Sequence, residues 1–100
     1  MSIEITARHL QISQAQQELA HRKAEQLLAE FPKTEHIHII LDMQRHQFTA
    51  EFVVQHKDVA RVEAREVCDD LVAGIDLAYA KVEKQLRKHR EKVIAIHQRA

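Results

Sequence analysis

The residues whose types and spacing could do chemistry lie between Lys81 and Lys92, in the run KVEKQLRKHREK. Lys81, Lys84, Lys88 and Lys92 recur every three or four positions, which on a helix puts their ammonium groups along one stripe. Arg87 and Arg90 flank it, and a guanidinium fork matches phosphate oxygens in a way an ammonium does not. The chemistry such a stripe can do is charge neutralisation of a polyanion, RNA among them, rather than bond making. The chain as a whole is formally neutral, with 15 basic and 15 acidic residues, but the charge is unevenly spread. Residues 1–80 hold 8 Lys/Arg against 13 Asp/Glu, net −5, while residues 81–100 hold 7 against 2, net +5. A lysine-rich run also suits an ordinary solvated helix face. Few acids at i,i+4, the mixing of Arg with Lys, and an expected overhang beyond the core favour the polyanion.

The other reactive residue types offer less. Of eight histidines, His36 and His38 share a strand face, and His56 and His89 are the others able to join them. With no HExxH, no Cys/His cluster and no carboxylate at ligand spacing, no metal and no cofactor are expected. The lone Cys68 permits no intrachain disulfide, and Asp69 and Asp70 beside it oppose a reactive thiolate. One glycine in the chain leaves no material for a phosphate-cradling loop, and no nucleophile–base order is visible, so neither an enzyme nor a small-molecule substrate is expected.

The elements that must position the basic run follow from periodicity. An apolar content of 45% in 100 residues implies one domain, 1–100, with a single core. Ile3 and Ile5 mark a short strand. Ser13 with Gln16 has capping-box spacing ahead of a helix over about Gln14–Glu30, with Ala15, Leu19, Leu27 and Phe31 on one face and Pro32 ending it. Three alternating runs follow, around Ile37–Met43, Phe48–Val54 and Ala60–Ala64, joined by short connections at Arg45-His46 and Lys57-Asp58. They read as an antiparallel meander of strands about seven residues long, roughly 23 Å. From Asp70 the period becomes helical, with Leu71, Ile75, Ala78, Val82, Leu86, Val93 and Ile96 in one stripe. At some 27 residues, roughly 40 Å, this helix should overhang the sheet from about the start of the basic run. Residues about 93–100, with Val93-Ile94-Ala95-Ile96, are expected to fold back on the core, meet a partner or form a loose C-terminal tail. The order strand, helix, three strands, helix predicts an α+β two-layer sandwich: β-α-β-β-β-α, a four-stranded sheet with both helices on one face. No apolar run approaches the roughly 20 residues of a membrane span, so no membrane partner and a cytoplasmic setting are expected.

The block Asp70-Leu71-Val72-Ala73-Gly74-Ile75-Asp76, followed by KVEKQLRKHREK, resembles the signature of the ribosome hibernation promoting factors, also called ribosome-associated inhibitors or sigma-54 modulation proteins. Asp70, Ala73, Ile75, Asp76, Lys81, Gln85, Leu86, Lys88 and Lys92 match it, with Val82, Lys84 and Arg90 as conservative variants. IEITARHLQIS at the start, with Ala15 and Lys23 after it, is similar to the family's first strand and helix. The short form of the family is the nearer match.

The resemblance implies a fold similar to double-stranded-RNA-binding domains. It also implies docking on the small ribosomal subunit, in the channel that messenger and transfer RNAs occupy, with inhibition of translation in stressed or stationary cells and promotion of ribosome dimers. It places Lys23, Lys81, Lys84, Lys88, Arg90 and Lys92 on a surface facing ribosomal RNA phosphates, and helical geometry adds Arg22, Arg87 and His89. A monomer is expected when free. Val72 stands where the family usually has Tyr, and Gln17, Gln26 and Asp42 occupy positions that are often basic. The alternative readings are a binder of free double-stranded RNA, or a protein-interaction module using the long C-terminal helix.

Overall fold

The computed structural model describes the backbone of residues 2–99, and the side chains of these except residues 59, 60 and 91–99. The element order is β1 (Ser2–Arg8), α1 (Gln14–Glu30), β2 (Thr34–Gln44), β3 (Gln47–His56), β4 (Val59–Cys68) and α2 (Leu71–Arg99). This is the predicted β-α-β-β-β-α order. The sheet runs β1-β2-β3-β4, with β1 parallel to β2 and the other pairs antiparallel. α1 packs over β1 and β2, and α2 over β3 and β4, so both helices cover one face.

Local chemistry fixes the helix starts. Ser13 Oγ accepts from the Gln16 N–H at 3.1 Å while Gln16 Oε1 accepts from the Ser13 N–H at 2.9 Å, a complete capping box. Asp70 Oδ2 accepts from the Ala73 N–H at 3.3 Å ahead of α2. Each cap satisfies an N–H that no helical carbonyl can reach, worth about 1 kcal/mol.

The core lies between the layers. Ile37, Ile39 and Leu41 of β2, Ala50, Phe52 and Val54 of β3, and Val62 and Ala64 of β4 meet Leu71, Ile75, Ala78, Val82 and Leu86 of α2. From α1 come Ala20, Ala24, Leu27 and Phe31. Ala15, expected on that face, is exposed, and Leu19 is only half-buried. The face is set by small residues at 20 and 24, which let the helix approach the sheet.

The strands are longer than expected: 11 residues in β2 and 10 each in β3 and β4, roughly 35 Å. Two-residue connections allow this, because nothing but Arg45-His46 and Lys57-Asp58 separates the strands. The first connection is strained. Arg45 and His46 both lie in the left-handed region, at φ 52° and 65°, the backbone signs a type I′ turn demands.

The longer platform moves the start of the expected overhang, which does not begin at Lys81. Lys81 is ion-paired with Glu66 of β4, Gln85 Nε2 donates to the Glu63 carbonyl at 3.2 Å, Leu86 is buried, and the His89 ring meets that of His56. The basic run therefore lies along β4 as far as Arg90 instead of projecting beyond it. Whether residues 93–100 form a loose tail, and how Val93 and Ile96 pack, lie outside the described side chains.

Candidate nucleic-acid interface

The buried stripe of α2 sets where its cations point. With 100° per residue, Lys81, Lys84 and Lys88 fall on the flank beside β4, and Arg87 and Arg90 on the flank beside α1. Their contacts agree: Lys81 reaches Glu66 of β4, whereas Arg90 Nη1 donates to the Glu30 carbonyl at the end of α1, at 3.3 Å. The basic run thus presents two edges separated by a solvent-facing strip. Lys92 shares the Lys84–Lys88 edge by spacing, and its side chain lies outside the described residues.

The sites differ in how far their charge is already spent. Lys84 and Lys88 are exposed and have no carboxylate within 4 Å among the described residues. Arg22, exposed on α1, is likewise unpaired there, beside the carboxylates of Glu18 and Glu25 in a shallow depression. Lys81 and Arg87 hold ion pairs with Glu66 and Glu83. Lys23 is half-buried between the helices, 3.4 Å from Asp76 and 4.8 Å from the centre of the Tyr79 ring. Burial, and then a hydrogen bond to Glu83, push the Tyr79 phenol up to about 12, so this ring is a neutral partner for Lys23. Exposed ion pairs are worth little and open readily to a competing anion.

His89 is placed differently from the other candidates. Its ring faces the sheet, 6.1 Å from that of His56 and tilted by 72°, on the covered side. Lys33, which the periodicity did not bring forward, lies close by across the Lys57-Asp58 turn. Only a tertiary contact places it there, since Lys33 and Arg90 are far apart in the chain.

The histidines do not converge. His36 and His38 stand side by side on the open sheet face, where His38 Nε2 hydrogen-bonds Thr6 Oγ1 at 2.8 Å and lies 3.8 Å from Glu4. His56 and His89 meet on the other face. Among the described residues, no three His, Cys, Asp or Glu side chains are grouped to hold a metal ion. Also among them, no helix is long and apolar enough to cross a membrane.

Comparison with known proteins places this arrangement. The family profile for the sigma 54 modulation protein / S30EA ribosomal protein matches residues 3–94. A ribosome hibernation promoting factor of Pseudomonas putida is 26% identical over 92 residues, covering 92% of this chain and 89% of the relative. That of Escherichia coli K12 is 25% identical over 93 residues, covering 93% and 97%. Among solved structures, a ribosomal subunit interface protein from Coxiella burnetii superposes with a TM-score of 0.81 at 26% identity, covering 91% of this chain and 99% of that one. The N-terminal domain of Thermus thermophilus Protein Y shares the fold, with a TM-score of 0.76 at 24% identity over 89% of this chain and 99% of its own. The chain belongs to the sigma 54 modulation protein / S30EA ribosomal protein family, alongside the ribosome hibernation promoting factors.

Proposed function

We propose that this protein binds the small ribosomal subunit, occupies the channel used by messenger and transfer RNAs, and so inhibits translation in stressed or stationary cells. Family membership makes it a non-enzymatic factor. The observation that carries the proposal is one edge of α2: Lys84 and Lys88 stand exposed, with no carboxylate partner among the described residues, on a helix tied to β4 through Lys81 and Gln85. Cations spaced along a helix replace counterions condensed on RNA, and the release of those counterions favours binding. The interface is then set by RNA shape and phosphate position, because A-form major grooves are too narrow for side chains to read. The relatives called ribosome hibernation promoting factors, and the subunit interface protein from Coxiella burnetii, support the ribosome as that RNA's setting. The setting is the cytoplasm, the working unit is a monomer of one domain, and ribosome dimerisation is a consequence of occupancy.

Gradient sedimentation with ribosomes at low and high salt tests this. The protein should travel with the small subunit at low salt and leave it steeply as salt rises. Protein that stays at the top of the gradient at every salt concentration, while a plain RNA duplex shifts it on a gel, would replace the ribosome with free double-stranded RNA.

A further inference from the structure

A cleft of about 350 Å³ opens between the end of α1, the Lys57-Asp58 turn and the last described turn of α2. Its floor is apolar, formed by Phe31 and Leu86, both nearly fully buried. The Arg90 guanidinium lies over the Phe31 ring, 4.9 Å from its centre. His56 and His89 form one wall. His56 Nδ1 accepts from the Asp58 N–H at 3.1 Å, so its neutral ring carries the proton on Nε2. The His89 Nε2 atom is buried and has no hydrogen-bond partner among the described residues. At the rim, Lys33 Nζ lies 3.0 Å from Asp58 Oδ2.

Charge decides what such a cleft can hold. Lys33 and Arg90 are balanced by Glu30 and Asp58, so with both imidazoles neutral the lining carries no net charge. Protonating His56 is opposed by burial, by His89 and by Lys33 and favoured by Asp58 and Glu35, and it costs the Asp58 N–H bond to Nδ1. An anion seated beside that ring offsets the opposition. A guanidinium plane backed by an aromatic ring is, in addition, a stacking surface for a flat base.

We propose that this cleft takes one unstacked nucleotide of the RNA bound along α2, its phosphate among Lys33, His56 and His89 and its base on the Arg90 guanidinium. This rests on the reading of α2 as an RNA-binding rod, and adds to it a site where binding is coupled to proton uptake. The phosphate favours the charged form of His56, so its arrival draws a proton onto that ring. RNA is therefore held more tightly as pH falls.

The test uses the full chain and the dinucleotide ApA, whose single phosphodiester does not titrate near neutrality, with the imidazole resonances followed by NMR. ApA should shift the His56 and His89 signals saturably while His36 and His38 stay in place. Binding should be about tenfold tighter at about pH 6 than at about pH 8, the scale of effect that charging one histidine beside an anion produces. Lys33→Ala, at an exposed rim position, should weaken binding several-fold, and adenosine without phosphate should bind poorly. His56→Gln should flatten the pH dependence. Equal shifts at all four histidines, or affinity indifferent to both pH and Lys33→Ala, would overturn the proposal. Ribosome pelleting on the same samples keeps the two readings apart. Ribosome binding without ApA binding defeats the cleft alone, whereas ApA binding without ribosome binding defeats the ribosomal reading.

Discussion

Lys23 of α1 sits 3.4 Å from Asp76 of α2 with its ammonium over the Tyr79 ring, so one residue clasps the two helices that cover the sheet. A cation held in this way has two possible uses, joining the helices and meeting RNA phosphate, and it cannot serve both at full strength. Lys84 and Lys88 have no such engagement among the described residues.

That difference predicts unequal effects on RNA binding. Lys84→Gln or Lys88→Gln should each lower the slope of log affinity against log salt by roughly 0.7–0.9, the share of one neutralised phosphate, with little change in thermal midpoint. Lys23→Gln should move the slope less but lower stability by up to about 1 kcal/mol, through the lost ion pair and cation–π contact. Salt-series binding alongside thermal melts reads both quantities. A Lys23 slope change as large as that of Lys84, without loss of stability, would make Lys23 a phosphate contact and the clasp incidental.

The Arg45-His46 turn predicts a gain. Both residues are held at positive φ, where a side chain costs roughly 1–2 kcal/mol that Asn and Gly largely escape. Replacing the pair with Asn-Gly should raise unfolding stability by about 1–2 kcal/mol without touching either cationic edge. Denaturant melts give the number, and unchanged ribosome sedimentation would show that the strain serves no binding role.

How much of this was legible in the sequence follows from which interactions are local. Strand alternation, the Ser13–Gln16 box and Pro32 act within a few residues, and they placed α1 at Gln14–Glu30 and the three-strand meander correctly. Strand length was not legible. It depends on Arg45 and His46 accepting a conformation their side chains disfavour, and residues flanking such a turn carry no turn signature. The longer strands, in turn, carried the basic run onto the platform. Spacing alone put Lys81, Lys84 and Lys88 on one edge of α2. Their partners, Glu66 from β4 for Lys81 and none among the described residues for the other two, are tertiary facts. The same holds for Lys33 and His56 beside His89 and Arg90, which only the register of β2 against β3 and the seating of α2 bring together.

Gly74 is a second place to gain stability. It lies inside α2, where glycine costs about 1 kcal/mol against alanine. A methyl group there would meet the Cβ atoms of Cys68 and Ala50 at 3.5 and 3.7 Å, ordinary contact distances. The backbone does approach β3 and the end of β4, but it leaves room for one carbon. Gly74→Ala should therefore stabilise by about 0.5–1 kcal/mol, and Gly74→Leu, with no space for its branch, should destabilise. A paired measurement of the two variants checks the packing argument, since helix propensity alone would favour both.

His56 gives the fold a pH dependence of known sign. Burial holds its imidazole below its ordinary value, with His89 and Lys33 pushing the same way against Asp58 and Glu35. A histidine whose folded value is depressed stays neutral while the unfolded chain takes up a proton, so the unfolded state binds more protons as pH falls below about 6.5. Its contribution to stability is complete above that pH and declines from there down to the folded value. The melting midpoint of the free protein should therefore drop between about pH 7 and about pH 5.5, and by less in His56→Gln, whose side chain does not titrate. Bound RNA should reverse the trend at this site, because a phosphate beside His56 favours the charged ring that the free fold resists. Melts of the protein with and without ApA across that range would read both signs, and identical pH slopes in wild type and His56→Gln would remove this histidine from the account.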